Sequence, residues 1–511
     1  MKKAVVISLV ALLFNSVGVL SQPQVVGTQK DFSMDLDSYI RKTLEKLPDI
    51  PAVAVVVIKD DKPIFMKAYG MADKEAGIKS DSDTLFYIAS STKAYTALAA
   101  SMLDREGKIK FGDPVNKYTT GIQFKDPIPD KVTVRDLLTH TSGLQDNALV
   151  HRMAFTGQND PKEMATVFAK GMTFTEARYG KYNYDNLGYN IYGVLLQNNL
   201  KMKWQDLLQQ RVFDPLGLKH TTAYISRASS KKWNVAAPYV FGVVSGKTIR
   251  SILPKQDNTM QSAGGIFSSI SDIGRWLTIN MNDGRLDGKQ IIPAELLRAA
   301  HTGYTTNTRN EPPFTGEGEY GLGWQIGKYR QEKVIYHHGG FAGYNNHFSY
   351  LPEKKIAVGI AVNSGGVGRT AMQMIAAYAY DLQLGVENVD ADYAKRLDDL
   401  VAEYSKRKGE AINAAAERAK RTWQLSKPFS EYAGKYTNEL FGTIEITARG
   451  NDVTVRWGNM FCVATPYTQK ETIRVELEPG GGGEVIGFTK DADGNFTSLN
   501  YNGITFTKVA S

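Results

Sequence analysis

Leu85-Phe86-Tyr87-Ile88-Ala89-Ser90-Ser91-Thr92-Lys93 is the stretch on which the rest of the chain turns. An apolar run leads into Ser90, and the small, apolar residues Ala94 to Met102 follow Lys93. That pattern predicts a buried helix over Thr92 to Glu106 with Ser90 at its start. Residues three apart share a helix face, so the Lys93 amine can reach the Ser90 hydroxyl. Burial lowers a lysine pKa toward that of a working base. The positive end of a helix also favours negative charge developing beside the serine. The bare S-x-x-K pattern recurs at Ser229/Lys232 and Ser405/Lys408, and ordinary composition yields about two such matches by chance. Context separates them: Ser229 sits in the polar stretch Arg227 to Lys232, and Ser405 in a charged helical segment.

Working outward, Met34 to Leu47 has helical spacing, and Pro51 to Ile58 and Pro63 to Tyr69 read as a hairpin turning at Asp60-Asp61. Trp204 to Val212 reads as a helix, Ile335 to Tyr350 and Lys355 to Val362 as strands, and Thr370 to Leu384 as a helix. Strands at both ends with helices between predict an α+β fold whose antiparallel sheet is closed by distant segments. From Asp390 to Trp423 the chain is rich in Ala, Lys, Arg, Asp and Glu and reads as a solvated linker helix. Past Pro428 come short alternating strands: Tyr432 to Tyr436, Gly442 to Ala448, Asp452 to Trp457, Thr472 to Glu478, Glu484 to Phe488 and Ile504 to Val509. Those predict a small all-β sandwich or barrel of about 85 residues.

Composition narrows the function classes. The chain has 511 residues, 42% hydrophobic and 22% charged, which suits two globular domains and excludes wholesale disorder or a polytopic membrane protein. The 61 Lys+Arg against 53 Asp+Glu leave +8, spread without a dense basic block, so no nucleic-acid partner is expected. Cys462 is the single cysteine and lies in the alternating run Val453 to Val463, which makes it a buried strand thiol. His337, His338 and His347 lack acidic residues at ligand spacing, so no metal is expected. Neither G-x-S-x-G nor H-E-x-x-H occurs. Lys2-Lys3, the apolar Ala4 to Phe14 and the small-residue stretch through Val19-Leu20-Ser21 read as an export signal over residues 1–21. The mature protein is then periplasmic or secreted, and so short an apolar run gives no stable membrane anchor.

Ile88 to Lys93 resembles the nucleophile motif of the serine β-lactamase-related and penicillin-binding proteins, closest to the branch of class C β-lactamases, D-peptidases and esterases. Further segments match in that family's order: Leu137-Leu138-Thr139-His140-Thr141-Ser142-Gly143-Leu144, Tyr184-Asp185-Asn186, Pro215-Leu216-Gly217-Leu218, Ala263-Gly264-Gly265-Ile266-Phe267-Ser268 and Tyr320-Gly321-Leu322-Gly323-Trp324. His337-His338-Gly339-Gly340-Phe341-Ala342-Gly343-Tyr344 takes the place of the third motif. Tyr184 alone reads as a core aromatic and Asn186 alone as a turn residue; order and spacing carry their assignment. The resemblance implies Ser90, Lys93 and Tyr184 as catalytic residues, with Asn186, His337, Gly339 and Gly340 binding substrate. It implies an oxyanion hole from the backbone N–H groups of Ser90 and Gly340. Penicillin-targeting members carry Lys-Thr-Gly where this chain has His337-His338-Gly339, so esters, amides or D-residue peptides are the expected substrates. If His337 faces the substrate, its charge is expected to switch near the ordinary imidazole pKa.

The resemblance implies a β-lactamase-like domain over 30–388, a charged linker over 389–427 and a lipocalin-like β-barrel over 428–511. No cofactor is called for, and the partner is a small-molecule or peptide substrate; assembly into a homo-oligomer is left open. Two other outcomes of the same acyl-serine chemistry stay open at this point: an acyltransferase, and a penicillin-binding sensor that acylates without turnover.

Overall fold

The computed structural model describes residues 29–307, 311–478, 480 and 482–509; the expected export signal lies outside them. The hairpin forms as expected, from strands Ala52–Lys59 and Lys62–Asp73. Asp60 and Asp61 both take positive φ, 46° and 69°, the geometry of a two-residue turn whose twist matches its flanking strands. Ala52–Lys59 then pairs along its other edge with Ile356–Val362, some three hundred residues away in sequence. The result is a nine-stranded antiparallel sheet in which the first three strands of the chain join the six that end the domain. Ala52 to Ile58 are all essentially buried because helices cover both faces. The Ile270–Met281 helix packs on one face, and Gln29–Lys46 with Val367–Gln383 on the other.

The third-motif segment is two strands, Glu332–Phe341 and Tyr344–Leu351, joined by a tight turn at Ala342-Gly343. The charged helix runs Val389–Ala419 but is not simply solvated. Tyr393 and Leu397, four residues apart, are buried against the sheet's outer layer, and Lys408 reaches Asp49 at 2.6 Å. Beyond it, nine strands from Gly434–Asn438 to Ile504–Lys508 form one antiparallel sheet. Its two edge strands, Met460–Val463 and Thr465–Pro466, are separated only by Ala464, so the sheet curls into a nearly closed barrel. Cys462 is the expected buried thiol, with burial pushing its pKa up to about 11.

Sparse contacts between barrel and first domain are what a solvated linker predicts, and the structure differs. Phe155, Phe341 and Ala342 of the first domain pack into the barrel's apolar core. The Asn459 N–H donates to the Thr156 carbonyl at 2.7 Å, and Arg152 donates to the Leu440 carbonyl. The barrel is therefore seated at the end of the strand that carries Gly339 and Gly340. No helix among the described residues is long and apolar enough to cross a membrane.

Candidate active site

Ser90 lies in a single turn of 3-10 helix, Ala89–Ser91, that feeds the Thr92–Arg105 helix. Ala89 takes φ 42°, a conformation costly for a residue with a Cβ, and such strain persists only where the surroundings hold it. Here they do. Ser91 Oγ donates to Asn346 Oδ1 at 2.6 Å, Asn346 Nδ2 donates to the Ile88 carbonyl at 2.8 Å, and the Ile266 N–H donates to Thr92 Oγ1 at 3.2 Å. A Cβ on Gly339 would stand 2.1 Å from the Ile88 carbonyl oxygen, so the third-motif strand can approach the turn only with glycine there. A Cβ on Gly323 would likewise meet the Lys93 carbonyl at 2.6 Å, which explains a glycine in Tyr320 to Trp324. The N-cap positions of the two helices are Ile88 and Ser91, so the Ser90 hydroxyl is left to other partners.

Lys93 is fully buried. Its Nζ donates to Ser90 Oγ at 3.2 Å, Asn186 Oδ1 at 2.7 Å and the Ala263 carbonyl at 2.9 Å. The Tyr184 and Tyr189 rings flank it, with centroids 5.0 and 5.6 Å from Nζ. Asn186 precedes the Leu187–Leu200 helix, and Asp185 Oδ1 accepts the Leu187 N–H at 2.9 Å, which fixes the loop bearing Tyr184. Ser90, Lys93, Tyr184 and Asn186 thus converge from two helix starts nearly a hundred residues apart.

Behind them stands an aromatic wall. The His140 ring lies 4.5 Å from that of Tyr184 and 4.8 Å from that of Tyr320, and its Nδ1 accepts the Asp185 N–H at 3.4 Å. Nothing in the sequence assigned His140, Tyr320 or the Ala263 carbonyl a part; the only signal was their presence in motif-like segments.

His337 is brought to this wall, its ring 6.2 Å from Tyr184, but only 1% exposed. Its Nδ1 stands 2.8 Å from the His338 carbonyl, which can only accept, so Nδ1 carries the proton and Nε2 faces the Tyr320 hydroxyl at 3.5 Å. Burial, then the nearby Lys93, hold the imidazole well below its ordinary pKa. The switchable charge expected of it is corrected accordingly: this ring stays neutral, and its one N–H is already used. His338 points to the opposite face, against His347 at 3.0 Å, as strand alternation requires. Gly340 pairs opposite Asn345, one residue before the strand ends at Phe341. Of the other two S-x-x-K matches, Ser229 is exposed and bonded to its own helix, while Lys408 is engaged with Asp49.

Comparison with known proteins bears on the fold and the family. The chain is 24% identical over 428 residues to the unguisins hydrolase ungD of Aspergillus violaceofuscus (strain CBS 115571), covering 80% of this chain and 75% of that one. It is 23% identical to protein flp of Staphylococcus aureus (strain MW2), covering 65% and 63%. Among solved structures, an octameric penicillin-binding protein homologue from Pyrococcus abyssi superposes with a TM-score of 0.59 at 23% identity, over 93% of this chain and 99% of that one. FmtA from Staphylococcus aureus gives 0.55 at 21% identity, over 70% and 88%. The Beta-lactamase family model matches residues 40–381, and the chain belongs to that family.

Proposed function

We propose that this protein is an exported serine hydrolase that cleaves esters, amides or D-residue peptides through an acyl-serine. The observation that carries the reading is the buried Lys93 amine placed against Ser90 Oγ and held there by Asn186 and the Ala263 carbonyl. In this mechanism Lys93 acts as the neutral amine: its two N–H bonds stay on Asn186 and the Ala263 carbonyl, and its lone pair takes the Ser90 proton as Oγ attacks the carbonyl carbon. The Ser90 and Gly340 backbone N–H groups receive the oxyanion. Collapse expels the leaving group with a proton returned through the Lys93/Tyr184 pair, and water then enters by the same route to release the acid. His337 acts indirectly, as a neutral acceptor that holds Tyr320 against Tyr184 and His140. The family and a relative named as a hydrolase support hydrolysis over mere binding.

A substrate panel followed to steady state tests this. Continuous release independent of added alcohol or amine is expected. A rate set by acceptor concentration would make the protein an acyltransferase, and one stoichiometric burst would make it a sensor.

A further inference from the structure

A second cavity, of about 660 Å³, lies between the barrel and the short Asn147–His151 helix, away from Ser90. Its size is that of a small-molecule site. Asp146 and His151 border it from the first domain; Trp457, Glu478, Glu484 and Tyr501 border it from the barrel. Among the described residues no Lys or Arg lines it. A fourth carboxylate at its edge, Glu476, is paired with Arg474 at 3.1 Å.

The most buried of the carboxylates is the informative one. Asp146 is 4% exposed; its Oδ1 accepts the Leu149 N–H at 2.9 Å, and its Oδ2 has no hydrogen-bond partner. A buried carboxylate oxygen without a donor is costly. His151 Nε2 is likewise unpartnered, and burial lowers its pKa to about 4, so it brings no charge. Burial raises Asp146 to about 7, which keeps its charge in reach of a cation that would restore it. The buried Trp457 ring packs on the His151 ring at 4.3 Å and meets the Tyr501 ring edge to face at 5.4 Å. Acidic groups and the Tyr501 ring on one border, with a carboxylate oxygen that has no donor, make surroundings that attract organic cations. No group of three or more metal-ligating side chains occurs among the described residues, which favours an organic ion over a metal.

We propose that this cavity binds a small organic ammonium ion, with Asp146 Oδ2 as its anchor and the Tyr501 ring, backed by Trp457, at its border. The proposal stands independently of the chemistry at Ser90.

Isothermal titration of the full-length protein at pH 8 tests it, using n-butylammonium and tetramethylammonium, with n-butanol and butyrate as neutral and anionic controls. Saturable binding of at least one ammonium and of neither control is expected. Preference for n-butylammonium would assign a primary amine bonded to Oδ2, and preference for tetramethylammonium a quaternary head group held against Tyr501. Asp146→Asn should weaken binding at least tenfold while leaving hydrolysis of a neutral ester unchanged; asparagine keeps the oxygen that caps the helix, so the variant folds. Glu484→Gln should weaken it in the same direction. Absence of saturable ammonium binding, equal binding of butyrate, or undiminished binding by both variants would overturn the proposal.

Discussion

Two lysines are taken out of water near Ser90, and their surroundings are opposite. Lys93 meets three acceptors, while Lys255 Nζ meets none and rests on the Phe341 ring, 2.6 Å from its centroid, with Tyr87 at 4.6 Å. Burial drives the Lys255 amine well below its ordinary pKa. The difference teaches that burial alone does not make a lysine useful. An amine becomes a base when fixed acceptors hold its N–H bonds and leave its lone pair toward a nucleophile, the frame that Asn186 and the Ala263 carbonyl offer Lys93. Lys255 has only rings, at the seam where the Ser251–Asp257 loop meets the barrel.

Substitution should expose the contrast. Lys93→Met is expected to lower kcat by at least ~10²-fold, since general-base catalysis contributes about that much. If activity survives, the frame around Lys93 is not the base. Asn186→Leu should act more weakly, because Lys93 keeps Ser90 and Ala263. A loss of about tenfold in kcat, with the fold intact by circular dichroism, would match one lost hydrogen bond to a charged group.

Lys255→Met should leave kcat within about twofold and raise stability by roughly 1–3 kcal/mol, the cost of a buried group without a partner. The sign follows from linkage. The folded-state pKa lies below the ordinary value near ~10.4, so below that value the unfolded chain binds a proton that the folded chain does not. Stability therefore falls as pH falls from about 10, and the gain from Lys255→Met should widen in the same direction. Thermal melts at several pH values read this directly; a loss of activity instead would join Lys255 to the site.

The smallest effect belongs to His337. Its neutral, Nδ1-protonated ring should give no titration between about pH 5 and 8, the window where an unperturbed imidazole changes charge. Nitrogen NMR of the imidazoles checks it, and a His337 signal moving near pH 6.5 would restore the switch expected from the sequence.

The same contrast shows what was legible in the chain. The Ser90/Lys93 pair was readable because spacing on a helix and an apolar frame are sequence properties. The Ala263 carbonyl was not, since every residue carries a carbonyl and only the fold aims one. Lys255 looked like any loop lysine. In the barrel, Phe496–Tyr501 was missed because a bulge between Thr489 and Lys490 breaks the pairing register and Thr497-Ser498 interrupts the alternation of buried residues. The Val389–Ala419 helix read as solvated because three buried residues, Val389, Tyr393 and Leu397, among so many charges leave a faint apolar stripe.

The central claim is that Ser90 carries the acyl group. Mass spectrometry of protein quenched during turnover of a slow ester, followed by peptide mapping, measures it most directly. The account predicts an acyl mass increment on the peptide containing Ser90, absent in Ser90→Ala, whose hydrolysis should also cease. An increment on the peptides of Ser229 or Ser405, or continued hydrolysis by Ser90→Ala, would contradict it.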